Sequence, residues 1–185
     1  MKYLIIVCLC LFSLNASAQF PFKKDKKEEK ELPAIDSSVV QSLNGTIKAL
    51  YDVISGEKGQ KRDWRLFKYL FKPDAKLIPA GKDKYGDLKV NYMSPDDYIK
   101  SSGKWLVKNG FHEKEISRRV NTFGNITHVF STYESYYSKE DEEPFMRGIN
   151  SIQLLNDGNR WWILNIYWTQ ESPTNPIPKQ YLPTN

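Results

Sequence analysis

The stretch Trp161-Trp162-Ile163-Leu164-Asn165-Ile166-Tyr167-Trp168 decides how this chain folds. Aromatic and branched apolar side chains fill it without a Gly or Pro, so 160–171 reads as a β-strand. Both of its alternate sets are mostly apolar, which predicts that both faces of the strand are covered. Trp162, Leu164, Ile166 and Trp168 alternate onto one side and predict a broad apolar wall. Just upstream, 145–156 runs into Asp157-Gly158-Asn159, a hairpin signal that joins two antiparallel strands. Further back, 113–123 and 126–137 form another strand pair around Gly124-Asn125, followed by a charged loop at 138–144. One face of this sheet should lie on helices. The other should meet a second subunit, because no later element is visible in the sequence to cover it.

The helices come first in the chain. Asp36 or Ser37 caps a predicted helix that carries Val39, Val40, Leu43, Ile47, Leu50, Tyr51 and Ile54 on one stripe and ends at Gly56 and Gly59. Asn44-Gly45 lowers helix propensity in its middle, where the glycine can also admit close packing. Asp63 caps a short second helix that Pro73 stops. Strands at 74–81 and 88–93 flank a polar loop. Ser94-Pro95-Asp96-Asp97 then opens a third helix, which Asn109-Gly110 closes.

The termini carry a different message. Met1-Lys2, an apolar run from Tyr3 to Leu14 and Ala16-Ser17-Ala18 make up a secretory signal at 1–18, so the chain is expected to be exported, periplasmic or secreted, from a Gram-negative bacterium. Cleavage there removes both cysteines, Cys8 and Cys10. The mature chain is then left without disulfide or thiolate metal chemistry. Residues 19–35 mix Lys with Glu and Asp without an apolar period, which reads as a solvated tether. Beyond the tether 21 Lys and Arg stand against 18 Asp and Glu, too small an excess for a nucleic-acid footprint. Pro173, Pro176 and Pro178 keep a tail at 173–185 extended. One domain at 36–172 remains, with no transmembrane segment after signal cleavage.

Helices followed by a meandering sheet describe an α+β domain. The motifs Ala49-Leu50-Tyr51-Asp52-Val53-Ile54-Ser55-Gly56, Arg62-Asp63-Trp64, Leu70-Phe71-Lys72-Pro73-Asp74-Ala75 and Leu77-Ile78-Pro79-Ala80 resemble the nuclear transport factor 2-like superfamily. His128-Val129-Phe130-Ser131-Thr132-Tyr133-Glu134, Arg147 to Leu154 and Asp157 to Ile163 continue the resemblance. It is closer still to secreted bacterial members of unassigned activity. The resemblance implies a curved antiparallel sheet wrapped against N-terminal helices around a conical cavity, commonly in a dimer. Relatives include ketosteroid isomerases, dehydratases, SnoaL-like polyketide cyclases and proteins that only bind small molecules, so chemistry has to be argued residue by residue.

His128, mid-strand, is a candidate general base or a hydrogen-bonded structural histidine. Glu134, six residues on and of the same parity, is its candidate partner or a solvated strand-end carboxylate. An isomerase mechanism also needs a phenol to hold an enolate oxygen. Tyr92 and Tyr133 qualify by type, although Tyr133 alternates away from Glu134. Arg147 can clamp a ligand anion or pair with an acid nearby, and it differs in parity from Asn150, so both reach one cavity only through a bulge. Trp162, Ile166 and Trp168 line the cavity for an apolar or aromatic ligand, or serve as plain core. His112 reads as a solvent-side residue beside Glu113 and Glu115, and no metal-binding spacing or cofactor motif is present. Three functions follow as expectations. The first is binding of a small apolar ligand by a homodimer, the second is lyase or isomerase chemistry at His128 or Glu134, and the third is a non-catalytic envelope interaction module using Trp161, Ile163 and Tyr167.

Overall fold

The computed structural model describes residues 34–184; the expected signal at 1–18 and nearly all of the expected tether at 19–35 lie outside the described residues. A 3-10 turn (Ser37–Val40) leads into α1 (Leu43–Ile54), α2 (Trp64–Tyr69), β1 (Phe71–Lys82), β2 (Leu88–Val90) and α3 (Pro95–Asn109). Four long strands follow: β3 (His112–Phe123), β4 (Ile126–Tyr136), β5 (Met146–Asn156) and β6 (Trp161–Gln170).

The single helix expected from residue 36 onward divides in two. Ser42 has extended backbone angles and its hydroxyl accepts the Gly45 amide at 3.0 Å, so it caps a new helix instead of continuing the old one. Gly45 permits the junction, since a Cβ there would lie 2.8 Å from the Val39 carbonyl oxygen. The other starts follow their local chemistry. Asp63 accepts the amides of Arg65 and Leu66, while Ser94 and Asp97 cap each other reciprocally ahead of Pro95. Such caps contribute about 1 kcal/mol each.

The six strands order as β2-β1-β6-β5-β4-β3. β3 to β6 form the antiparallel meander that the hairpin signals imply, but β1 runs parallel to β6, with Leu77 opposite Ile166. The curved sheet is therefore mixed and not wholly antiparallel. A parallel neighbour needs a long connection, and here α3 with the whole meander supplies it.

A second correction lies inside β6. Gln153 pairs with Asn165 and Leu154 pairs with Ile163, so β6 carries one extra residue at Leu164. The bulge resets the alternation. Ile163 and Ile166 both turn into the core at 0% and 6% exposure, and Trp161 and Trp168 pack against the same core. Trp162 and Tyr167 are left outside that core, so the expected wall of Trp162, Leu164, Ile166 and Trp168 does not form.

The helices close one face of the sheet around Ile47, Leu50, Phe67, Val129, Ile152 and Ile163. The far face is partly covered by the chain itself. Residues after β6 turn between Ser172 and Asn175, bury Ile177, and run across β4 and β3. Thr132 donates its hydroxyl to the Tyr181 carbonyl at 2.6 Å, Arg119 donates to the Gln180 carbonyl at 2.7 Å, and the Tyr181 ring lies 4.9 Å from that of Phe130. The proline-rich tail is thus a strap, which corrects the premise that no element of the chain reaches this face. Among the described residues no helix is long and apolar enough to cross a membrane.

Candidate functional site

A cavity of about 200 Å³ opens between α1, α3 and the helix-covered face of the sheet. Leu50, Phe67, Trp105, Phe111, Ile166 and Trp168 give it a largely apolar and aromatic wall. Its polar groups are Tyr98, Ser102, Glu113, Tyr133 and Asn150.

Glu113 is the second residue of β3, and the end of α1 fixes its position. Ser55 caps α1, and its hydroxyl accepts the Glu113 amide at 2.9 Å. The carboxylate then accepts from Asn150 Nδ2 at 3.2 Å on one oxygen and from Ser135 Oγ at 3.2 Å on the other. Burial penalises its charged form and pushes the carboxyl up to about 7, although these two hydrogen bonds pull the other way. Glu113 keeps partial accessibility because it lines the cavity.

A polar chain runs from this carboxylate through the core to the surface. Asn150 also donates to the Tyr51 hydroxyl at 3.1 Å, and that hydroxyl lies 2.7 Å from Ser131 Oγ. Ser131 donates to Glu115 at 2.5 Å, and Arg118 Nε grips the same carboxylate at 2.8 Å. Every buried member therefore has a partner, as a buried network requires. Two phenols stand apart from it. Among the described residues, the hydroxyls of Tyr98 and Tyr133 have no hydrogen-bond partner, and both side chains line the cavity. Burial raises both phenols' pKa, and the Glu113 charge adds to the effect. Gly148 makes room for Tyr133, since a Cβ there would come within 2.5 Å of the phenol oxygen.

Of the residues singled out in the sequence, Tyr133, Asn150, Ile166 and Trp168 line this cavity. The rest lie elsewhere. His128 pairs its Nε2 with Ser151 Oγ at 2.9 Å beside Phe130. Glu134 accepts from the Tyr136 hydroxyl at 2.7 Å and faces Lys114 at 3.5 Å. Both residues alternate away from Val129, Ser131 and Tyr133, so they share the face of β4 opposite the cavity. Arg147 is bound to Glu171 at 2.8 Å, on the parity opposite Asn150. Trp162 lies outside, stacked 3.6 Å from the Arg160 guanidinium and donating its indole N–H to Asp157 at 2.6 Å. Tyr92 is 70% exposed. His112 is buried and not solvent-side, with Nε2 2.9 Å from the Glu57 carboxylate.

Glu113, Tyr51, Tyr98 and Ser102 escaped the sequence reading. One signal was available for Glu113. Ser131 and Ser135 punctuate the otherwise apolar set Val129, Tyr133 on β4, and small hydroxyls on a core face imply polar partners opposite them. Those partners are Glu115 and Glu113.

No protein-family model matches the sequence, and no curated protein matches it. Solved structures do match. The chain is similar to a protein of unknown function with a cystatin-like fold from Nostoc punctiforme, at TM-score 0.54 and 11% identity, over 77% of this chain and 96% of that one. It is likewise similar to a nuclear transport factor 2-like superfamily protein from Salmonella enterica, at TM-score 0.52 and 17% identity, over 75% of this chain and 94% of that one. Likeness at such identity speaks for the fold and not for the chemistry. The curved mixed sheet, the helices that cover it and these matches together make this an α+β protein of the nuclear transport factor 2-like, cystatin-like cone fold.

Proposed function

We propose that this protein binds a small, largely apolar ligand in the cone cavity, with the ligand's polar end against Glu113 and Asn150. The observation that carries this reading is the placement of Glu113 among aromatic walls, beside two phenols without partners. Neither phenol oxygen is sealed off from the cavity, so both are open to a polar group placed there. The volume of about 200 Å³ suits a single ring with a short substituent, since an apolar cavity of about 150 Å³ accepts benzene. Ser102 lines the cavity from α3, and Ser102→Trp fills it. Fragments that raise the melting temperature of the native protein are expected to lose that effect in Ser102→Trp, with the far-UV circular dichroism unchanged. Equal shifts in both proteins would place binding elsewhere.

A second reading, proton transfer of the isomerase or lyase kind, is favoured by one specific feature. A carboxyl near 7 and free phenols face the same space. Glu113, in place of His128 or Glu134, would take the proton, and Tyr98 or Tyr133 would donate to the oxygen that gains charge.

Homodimer formation through the far face belongs to the same proposal. The strap leaves Tyr167 45% exposed, and at the β3–β4 turn Phe123 and Ile126 are 84% and 55% exposed. Tyr167→Lys is expected to convert a dimer to monomer in light scattering, and an unchanged mass would remove Tyr167 from any interface.

A further inference from the structure

We propose that the ligand of this cavity is a small ring-bearing amine, held as its ammonium ion with Glu113 as counter-ion. The inference rests on the cavity being a ligand site, and it adds the charge and class of the occupant.

Charge selection comes first. Of the described side chains that line the cavity, Glu113 alone has an acidic or basic group that ionises near neutral pH, and no Lys, Arg or His is among them. The titratable groups facing it are Tyr51 from α1, Tyr98 from α3 and Tyr133 from β4, with Glu115 beyond Ser131 on β3 itself. None of these supplies positive charge. An anionic ligand would therefore meet a carboxylate with nothing to neutralise the pair, in surroundings that strengthen repulsion. A neutral ligand leaves the carboxylate as poorly solvated as before. An ammonium supplies what the site lacks, an opposite charge with several N–H donors.

Hydrogen-bond capacity agrees. Each Glu113 oxygen accepts one hydrogen bond within the protein, from Asn150 or from Ser135, and a carboxylate oxygen has room for a second. The Tyr98 and Tyr133 oxygens are free to accept as well. Trp105, Phe111 and Trp168 line the remainder, and aromatic faces attract an organic cation where they would only tolerate a neutral ring.

The surroundings of the cavity carry the same sign. Trp105 and Phe111 contact Tyr137 and Phe145, each pair with ring centroids 6.3 Å apart, and Tyr137 stacks on Phe145 at 4.1 Å. The loop between Tyr137 and Phe145 carries Glu140, Asp141, Glu142 and Glu143 against Lys139 alone. Met146 also borders a second hollow, towards the opposite face of β4, that holds Glu134, Glu143 and Glu171, where Arg147 is paired with Glu171 and Lys114 lies 3.5 Å from Glu134. The lysines of α3, Lys100, Lys104 and Lys108, are exposed and spaced by four on the helix face away from Tyr98, Ser102 and Trp105. An approaching cation is drawn in by this arrangement of charge.

The test uses three probes on one scaffold, benzylamine, benzyl alcohol and benzoate, titrated calorimetrically into the full chain and into Glu113→Gln at pH 5 and pH 8. Benzylamine stays protonated at both values, so its pH dependence reports the protein. It is expected to bind at pH 8 about tenfold or more tighter than benzyl alcohol and to weaken about tenfold at pH 5, where Glu113 is neutral. In Glu113→Gln it should fall to the level of the alcohol, and benzoate should not bind either protein. As a readout independent of the variant, saturating benzylamine should move the 13C titration of the Glu113 carboxyl in the native protein to lower pH. Alcohol binding as tight as the amine at pH 8, benzoate binding or an unmoved titration would overturn the amine inference while leaving the cavity as a site. Failure of all three probes to bind would overturn the cavity reading along with it.

Discussion

Arg62→Ala is expected to cost about 3–5 kcal/mol of stability, because hydrogen bonds to a charged group contribute about 1.5–3 kcal/mol each and do not add fully. Arg62 is 7% exposed, and among the described residues no carboxylate bonds to its guanidinium. Its partners are backbone carbonyls. Nε donates to Ile54 at 2.8 Å, Nη2 donates to Gly56 at 2.6 Å and to Leu106 at 3.3 Å, and Nη1 donates to Gln60. Ile54 is the last residue of α1 and Leu106 lies in the last turn of α3, so one cation serves the negative ends of two helix dipoles. Alanine would take this donor from all four carbonyls, and of these the Gly56 carbonyl would still accept from the Phe111 amide. Lysine would recover only part of the loss, because a point ammonium cannot reproduce the planar fork. The clamp also bears on the cavity. Gly56 and Phe111 exchange backbone hydrogen bonds at 2.7 and 3.0 Å, and Phe111 leads directly into β3 and Glu113. Urea denaturation decides the matter, and a loss below about 1 kcal/mol would mean the clamp is not what joins α1 to α3.

Glu113→Gln should stabilise the protein above neutrality and flatten its stability profile below it. The sign follows from linkage. The folded carboxyl titrates near 7 against an ordinary value of 4.5, so between those two values the folded state holds a proton that the unfolded chain has released. Stability contributed by the neutral carboxyl is complete below pH 4.5 and is lost as pH rises through 7, in total about 3.5 kcal/mol as an upper figure at about 1.4 kcal/mol per pH unit. Glutamine keeps the shape and can still accept from Asn150 and Ser135 without carrying a charge. The native protein should therefore melt several degrees lower at pH 8 than at pH 5.5, and the variant should lose most of that difference. A native profile as flat as that of the variant would mean the carboxyl is solvated, and both the site and its chemistry would then need another centre.

How much of this was legible beforehand depends on the range of the interaction. The caps at Asp63 and Ser94 and the turns at Gly124 and Gly158 are set by residues within three or four positions of one another, and each lies where local chemistry puts it. The four-strand meander follows from alternation and hairpin signals. The cavity was legible only in part. Tyr133, Asn150, Ile166 and Trp168 line it, but the pair chosen for chemistry, His128 and Glu134, shares the opposite face of β4. A spacing of six keeps two residues on one side of a strand, so alternation alone puts them together. Which side faces the helices is not a local property.

By itself the sequence determined the order of the main elements, the capped ends at Asp63 and Ser94, and the division into helices that cover and strands that are covered. Periodicity and capping act between near neighbours, so the letters suffice for them. Only the tertiary structure decided that Leu164 is bulged and Trp162 turned out, that β1 joins β6 in parallel, and that the tail straps the far face. It alone also decided that Glu113 is the carboxylate of the cavity, because its ionisation depends on burial and then on Asn150 and Ser135, groups brought together from 37 and 22 positions away. A pKa and a cavity are properties of what surrounds an atom in space, and the surroundings of Glu113 come into being when the sheet closes on the helices.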